Sequence, residues 1–161
     1  MMLMEILKIL EKDARTSVRQ IATATGLSEE EVARTVKQAE QDQVILKYKA
    51  IINWDKLENE NVFALIEVKI TPQRDVGFDA IAERIYRFPQ AHTVYLVSGA
   101  FDLLVIVIGK TIHDIANFVA QKLAPLEGVQ STATHFMLKK YKEDGEILGA
   151  REELKRQPFV P

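Results

Sequence analysis

Two stretches of this chain hold polar and charged residues at spacings that can do chemistry. The first is Gln20-Ile21-Ala22-Thr23-Ala24-Thr25-Gly26-Leu27-Ser28 running into Glu29-Glu30-Glu31-Val32-Ala33-Arg34-Thr35-Val36-Lys37. Ser28 with Glu31 three residues on is a capping box, and Gly26 suits the positive φ of a sharp turn between two helices. Ala22 lets the helices approach closely, and Ile21, Leu27, Val32 and Val36 fall on their inner faces. Ser28, Glu29, Glu30, Ala33, Arg34 and Lys37 are left to face outward. That is the grammar of a helix-turn-helix, whose second helix enters the major groove of double-stranded DNA. Arg34 is the first candidate for a base or phosphate contact, Lys37 for a phosphate contact that positions without reading sequence. A carboxylate of the Glu29–Glu31 run can accept from a cytosine amino group, although acids in a first helical turn also serve the helix dipole alone. The plainer alternative is an αα-corner with solvated charges.

The second stretch is Ser98-Gly99-Ala100-Phe101-Asp102. Gly99 can bring backbone N–H groups up to an anion such as a carboxylate, and Asp102 offers the opposite charge to an α-amino group. A tight hairpin with a self-capping acid accounts for the same residues without a ligand. Elsewhere the chemistry is thin. His92, His113 and His135 have no metal-ligand spacing, no nucleophile–base arrangement is visible, and no Gly-rich phosphate loop occurs. The expectation is a protein that is not an enzyme and binds no metal.

These residues need elements to hold them. Leu3, Ile6, Leu7, Ile9 and Leu10 recur at helical spacing, predicting a first helix over about 2–12, with further helices over about 17–25 and 29–41. Val44 to Ile52 is rich in β-branched residues and reads as a strand, the wing that follows such a helix; Lys47 and Lys49 on it can touch flanking DNA backbone. Asn53 to Asn61 is polar and turn-forming, with Trp54 expected to anchor it by packing. The second half alternates: strand 62–70 closed by Pro72, helix 76–87, strands 93–97 and 103–108, helix 112–123 and strand 129–139. The order βαββαβ predicts an α+β protein with a ferredoxin-like second domain. Its sheet has one face under two helices and one open face that is not all polar, which favours burial against a second copy. Glu146 to Lys155 reads as a short helix with a Glu152–Arg156 pair.

Composition narrows the class. At 161 residues, 47% hydrophobic and 27% charged, the chain has room for one domain or two small ones. There is no cysteine, no apolar run long enough for a membrane and no signal-peptide pattern at Met1-Met2-Leu3-Met4-Glu5, so a cytoplasmic protein is expected. Residues 1–60 hold nine Lys/Arg against eleven Asp/Glu, unusual for a DNA-binding module. Either Arg15, Arg19, Arg34, Lys37, Lys47 and Lys49 cluster to make the field, or several subunits act together.

With both halves in place, residues 1 to about 142 resemble the Lrp/AsnC family of feast/famine regulators. The resemblance rests on Gly26-Leu27-Ser28 with Val32 and Val44-Ile45, on Val97-Ser98-Gly99-Ala100-Phe101-Asp102-Leu103-Leu104, and on Leu126-Glu127-Gly128-Val129 followed by Thr132-Ala133-Thr134. It implies a winged helix-turn-helix domain over 1–52, a linker over 53–61, a ferredoxin-like effector-binding and oligomerisation domain over 62–142 and a tail over 143–161. It further implies a homo-oligomer, a dimer assembling to an octamer, with no cofactor beyond an amino-acid effector bound at the loop between neighbouring dimers. Carried over by position, Leu96, Gly99, Asp102, Ile112, Thr134 and Phe136 line or border that pocket. The chain departs from the family at Thr35, where a basic residue is common, at Ala39, commonly Leu, and at Gln43, commonly Gly. Other readings are an effector-sensing assembly protein with little DNA affinity and, further off, an enzyme like the haem-pathway decarboxylases that share this architecture.

Overall fold

The computed structural model describes residues 2–57, 61–71 and 77–149, and the chain divides into two compact units, Met1–Ile52 and Asn53–Pro161. The first unit holds three helices, α1 (Met2–Lys12), α2 (Val18–Thr25) and α3 (Glu29–Gln41). Ile6, Ile21, Ala22 and Val32 are its buried core, with Ile9, Leu10, Val18, Leu27 and Val36 packed around them. So few buried residues leave much to the helix ends. Ser17 caps α2, accepting from Gln20 N–H while Gln20 Oε1 accepts from Ser17 N–H at 2.9 Å. Gly26 closes α2 at φ 74°, donating its N–H to Ala22 O at 2.9 Å.

Helix α3 ends in a Schellman motif, with Val44 N–H donating to Ala39 O at 2.9 Å and Gln43 N–H to Glu40 O at 3.1 Å. Gln43, in the position of the usual glycine, sits at φ 56°. The expected strand over Val44–Ile52 does not form. A strand needs a neighbour to satisfy its N–H and C=O groups, and the described residues offer this segment no ladder. It runs on as irregular chain with Val44, Leu46, Tyr48, Ile51 and Ile52 exposed. A side-chain bond returns it to α3, Tyr48 Oη donating to Glu40 Oε1 at 2.8 Å. Partial burial, then that acceptor, raises the Tyr48 hydroxyl above its ordinary pKa.

The second unit opens with a 3₁₀ turn at Trp54–Lys56, where Trp54 is exposed rather than packed. Four strands follow, β1 (Val62–Ile70), β2 (Ala91–Leu96), β3 (Leu103–Gly109) and β4 (Val129–Phe136), in the order β2-β3-β1-β4 and antiparallel throughout. Helix α4 (Gly77–Tyr86) joins β1 to β2. Helix α5 (Ile112–Phe118) follows β3 and widens into a π turn through Leu123. This is the ferredoxin-like order the alternation predicts. On β1, Ala64, Ile66, Val68 and Ile70 turn to the helices, meeting Leu103, Val105 and Val107 of β3 and Ile81, Ile85, Ile115 and Phe118 of α4 and α5. Gly128 allows that closeness: at φ 90°, an added Cβ would stand 2.4 Å from Ile81 Cδ1. The alternate residues Leu65, Glu67, Leu104 and Ile106 are half-buried on the other face.

The last strand stops at Phe136, three residues short of the expected end. Glu146 does not start a helix. Lys142–Glu143 and Glu146–Ile147 pair as a hairpin, β5 and β6, around a tight Asp144-Gly145 turn. Asn53 Nδ2 donates to Leu148 O beside it at 2.7 Å. Pro72, Val76 and the Glu152–Arg156 pair lie outside the described residues.

Candidate functional site

On α3 the hundred-degree step per residue sorts the charged side chains. Val32 and Ala39 are buried and Thr35 and Val36 half-buried, so the opposite side carries Glu30, Arg34, Lys37 and Gln41 at spacings of four, three and four, all exposed, with Ala33 beside them. Gln41 belongs to this stripe but escaped the sequence reading; its place four residues beyond Lys37 was the available signal. The three acids of the first turn part company. Glu31 is consumed by the cap: its Oε2 accepts from Ser28 N–H at 3.0 Å and from Ser28 Oγ–H at 2.7 Å, and Glu31 N–H donates to Ser28 Oγ at 3.2 Å. The Ser28 bonds, with a lesser pull from Arg34, hold the Glu31 carboxyl below the usual carboxylate value. Glu29 stands seven residues before half-buried Val36 and hence on the flank of the helix. Glu30 alone of the three lies in the outward stripe.

Ser28, a candidate for the groove, has its hydroxyl committed to that cap. Lys47 and Lys49 are exposed, but on irregular chain rather than a wing strand. Arg34 also borders a groove of about 310 Å³ shared with Met2, Leu3, Thr35, Gln38, Ala39, Asp42 and Val44.

The loop from Val97 to Asp102 joins β2 to β3. Gly99 takes φ 135°, a conformation that disfavours any side chain, and an added Cβ would meet nothing within 4 Å. Asp102 ties three strands at one end of the sheet. Its N–H donates to Val68 O at 3.1 Å, its carbonyl accepts from Val97 N–H at 2.9 Å, and its Oδ2 accepts from Ile70 N–H at 2.7 Å. The carboxylate therefore caps the end of β1 rather than its own hairpin, and one of its oxygens is engaged there.

A single chain does not gather the six candidate effector residues. Leu96, Gly99 and Asp102 lie at this end of the sheet. Ile112 follows the far end of β3, a seven-residue strand about 20 Å long. Thr134 and Phe136 sit on the outer strand β4, opposite Ile66 and Ala64, three strand spacings or about 14 Å from β2. Phe136 packs against the core, while Leu96 and Ile112 are exposed. The ferredoxin-like order already puts β2 and β4 at opposite edges of the sheet, so the separation follows from the predicted topology.

Among the described residues no group of three or more His, Asp or Glu could hold a metal ion, and no helix is long and apolar enough to cross a membrane. His135 Nε2 instead meets Glu67 Oε1 at 3.2 Å on the face away from the helices.

Comparison with known proteins accounts for both units. Residues 4–40 match the AsnC-type helix-turn-helix domain and residues 63–147 the Lrp/AsnC ligand binding domain. The chain is 46% identical over 158 residues to the HTH-type transcriptional regulator YugG of Bacillus subtilis, covering 98% of this chain and 95% of that one. It is 30% identical to the regulator LrpA of Pyrococcus horikoshii, covering 85% and 94%. Among solved structures, a Neisseria meningitidis transcriptional regulator in complex with L-Met aligns at TM-score 0.68 and 23% identity, covering 88% of this chain and 91% of that one. AsnC of E. coli aligns at 0.66 and 19%, covering 88% and 93%. An outward-facing recognition helix on one unit and a ligand-binding fold on the other thus have one explanation: the chain belongs to the Lrp/AsnC family of DNA-binding transcriptional regulators.

Proposed function

We propose that this regulator works in the cytoplasm as a homo-oligomer, dimers assembling to an octamer, whose DNA binding is adjusted by an amino acid held at the Ser98–Asp102 loop. The observation that carries the reading is the loop itself. Gly99 is free of steric cover at a positive φ, and Asp102 beside it is fixed by Ile70 N–H. Backbone N–H groups there suit an α-carboxylate and the Asp102 charge suits an α-amino group. The scatter of Leu96, Ile112, Thr134 and Phe136 over separate edges and ends supports a pocket completed by another copy. The half-buried apolar residues Leu65, Leu104 and Ile106 on the open sheet face support oligomerisation. The L-Met bound by the Neisseria protein supports the class of ligand. Leu96, Ile112 and Phe136 then set side-chain preference and Thr134 hydrogen-bonds the ligand.

On the DNA side, Arg34, Lys37 and Glu30 face the groove with Ala33, while Ser28 and Glu29 flank it and Lys47 and Lys49 reach the adjacent backbone. Ligand at a contact between copies favours one assembly, and linkage carries that preference to the recognition helices. No covalent chemistry is needed.

The test is size-exclusion light scattering with thermal shift, run without ligand and with each of a panel of amino acids. One amino acid that changes particle size or raises the melting temperature supports the reading. Asp102→Asn keeps an oxygen for Ile70 N–H but removes the charge, so it should abolish that response and leave the ligand-free melting temperature nearly unchanged. Indifference to every amino acid, or an undiminished response in Asp102→Asn, contradicts it.

A further inference from the structure

We infer that Glu30 is a base-reading residue: with Arg34 one turn on, it selects a cytosine close to a guanine in each half of the DNA site. The inference rests on the DNA-binding reading of α3 and goes beyond it by assigning base identity. Elimination leads to Glu30. Of the three consecutive acids, Glu31 has its carboxylate filled by Ser28, and Glu29 lies on the flank with Val36. Glu30 opens the stripe, is exposed, and its carboxylate makes no hydrogen bond or ion pair with any described residue. A carboxylate there is costly for a helix that must approach phosphates, since it repels them. The capping and helix-dipole tasks that usually justify first-turn acids are already met by Glu31 and Glu29.

Donor–acceptor chemistry then selects the base. An ionised carboxylate only accepts, and the cytosine N4 amino group is the major-groove donor that pairs with it, whereas Arg34 donates in a fork to guanine O6 and N7. Four helical residues advance about 6 Å, against about 3.4 Å per base along a strand. The two contacts therefore fall within about two base pairs of each other. Lys37 and Gln41 continue the stripe one and two turns further, where Lys37 meets phosphate.

The full-length protein should be presented with duplexes of randomised central sequence, at one fixed salt concentration, and the enriched sequences compared between wild type, Glu30→Gln and Glu30→Ala. Wild type should enrich a cytosine and a guanine within two base pairs in each half-site. Glutamine pairs bidentately with adenine, so Glu30→Gln should move the cytosine position toward adenine and leave the guanine unchanged. Discrimination at that one position, expected at about 5- to 150-fold in wild type, should fall to near none in Glu30→Ala. Both variants should bind unrelated duplex more tightly, because a repulsive charge is gone. Enrichment of the same sequence by all three proteins, with affinity changed equally on every duplex, would reduce Glu30 to a field effect and overturn the assignment. A wild-type protein that enriches nothing would overturn the DNA-reading account of α3 itself, and the assignment with it. Unchanged circular dichroism melting separates these outcomes from misfolding.

Discussion

The two units reach stability by different routes. The first buries four residues in its core cluster and relies on reciprocal caps at Ser17 and Ser28 and a Schellman turn at Gln43. The second buries twelve among its described residues and relies on a four-stranded ladder whose members come from distant parts of the chain. The difference places tolerance and vulnerability. In the helical unit single local bonds matter; in the sheet unit volume and close packing do.

The largest effects should come from the cores. Ile6→Ala and Ile66→Ala each remove a fully buried side chain and should cost about 2–5 kcal/mol, read by urea unfolding. The consequences should differ, because a unit of this size with so small a core has little margin. Ile6→Ala should abolish DNA binding at 25 °C, whereas Ile66→Ala should lower the midpoint of the sheet unit without unfolding it. Equal outcomes would erase the contrast between the units. Gly128→Ala comes next, at about 1–3 kcal/mol, since the new Cβ meets Ile81 and φ is 90°.

The local bonds follow. Ser28→Ala should cost about 1 kcal/mol in the helical unit. It should also weaken a pH dependence, since the Ser28 hydroxyl bond to Glu31 is lost while the N–H bond stays. The folded Glu31 carboxyl lies below its ordinary value of 4.5, so its contribution is present above about pH 4.5 and lost as the pH falls below it. Acid titration of α3 stability in wild type and Ser28→Ala, followed by circular dichroism, checks this; identical profiles would mean that the cap is idle. Smallest, and opposite in sign, Gln43→Gly should stabilise by roughly 0.5–1 kcal/mol, by relieving a side chain held at φ 56°. A thermal melt showing destabilisation would mean that the Gln43 side chain contributes more than its backbone costs.

This contrast also explains what could be read from the residues alone. Signals acting over a few positions were legible: Gly26, the Ser28–Glu31 box, and the run closed by Pro72 that put strand β1 at Val62–Ile70. Ser17-x-x-Gln20 and Thr111-x-x-Asp114 were equally legible capping pairs that went unread, and both form. Signals depending on a partner misled. Val44–Ile52 has the composition of a strand but finds no ladder among the described residues, and Trp54 is left 45% exposed. The chemistry of Asp102 was recognised while its tether to Ile70, thirty-two residues away, was not, because no local pattern announces a bond between strand ends. For the candidate effector residues, type was visible, and their separation over β2 and β4 follows from the ferredoxin-like order.

The most direct measurement of coupling between the two units is the affinity of the full-length protein for its selected duplex, by fluorescence anisotropy at fixed salt, with and without each amino acid. One amino acid should change that affinity by about 5- to 150-fold, and Asp102→Asn should lose the change while keeping the ligand-free affinity. An affinity that no amino acid alters would contradict an effector site linked to the recognition helix.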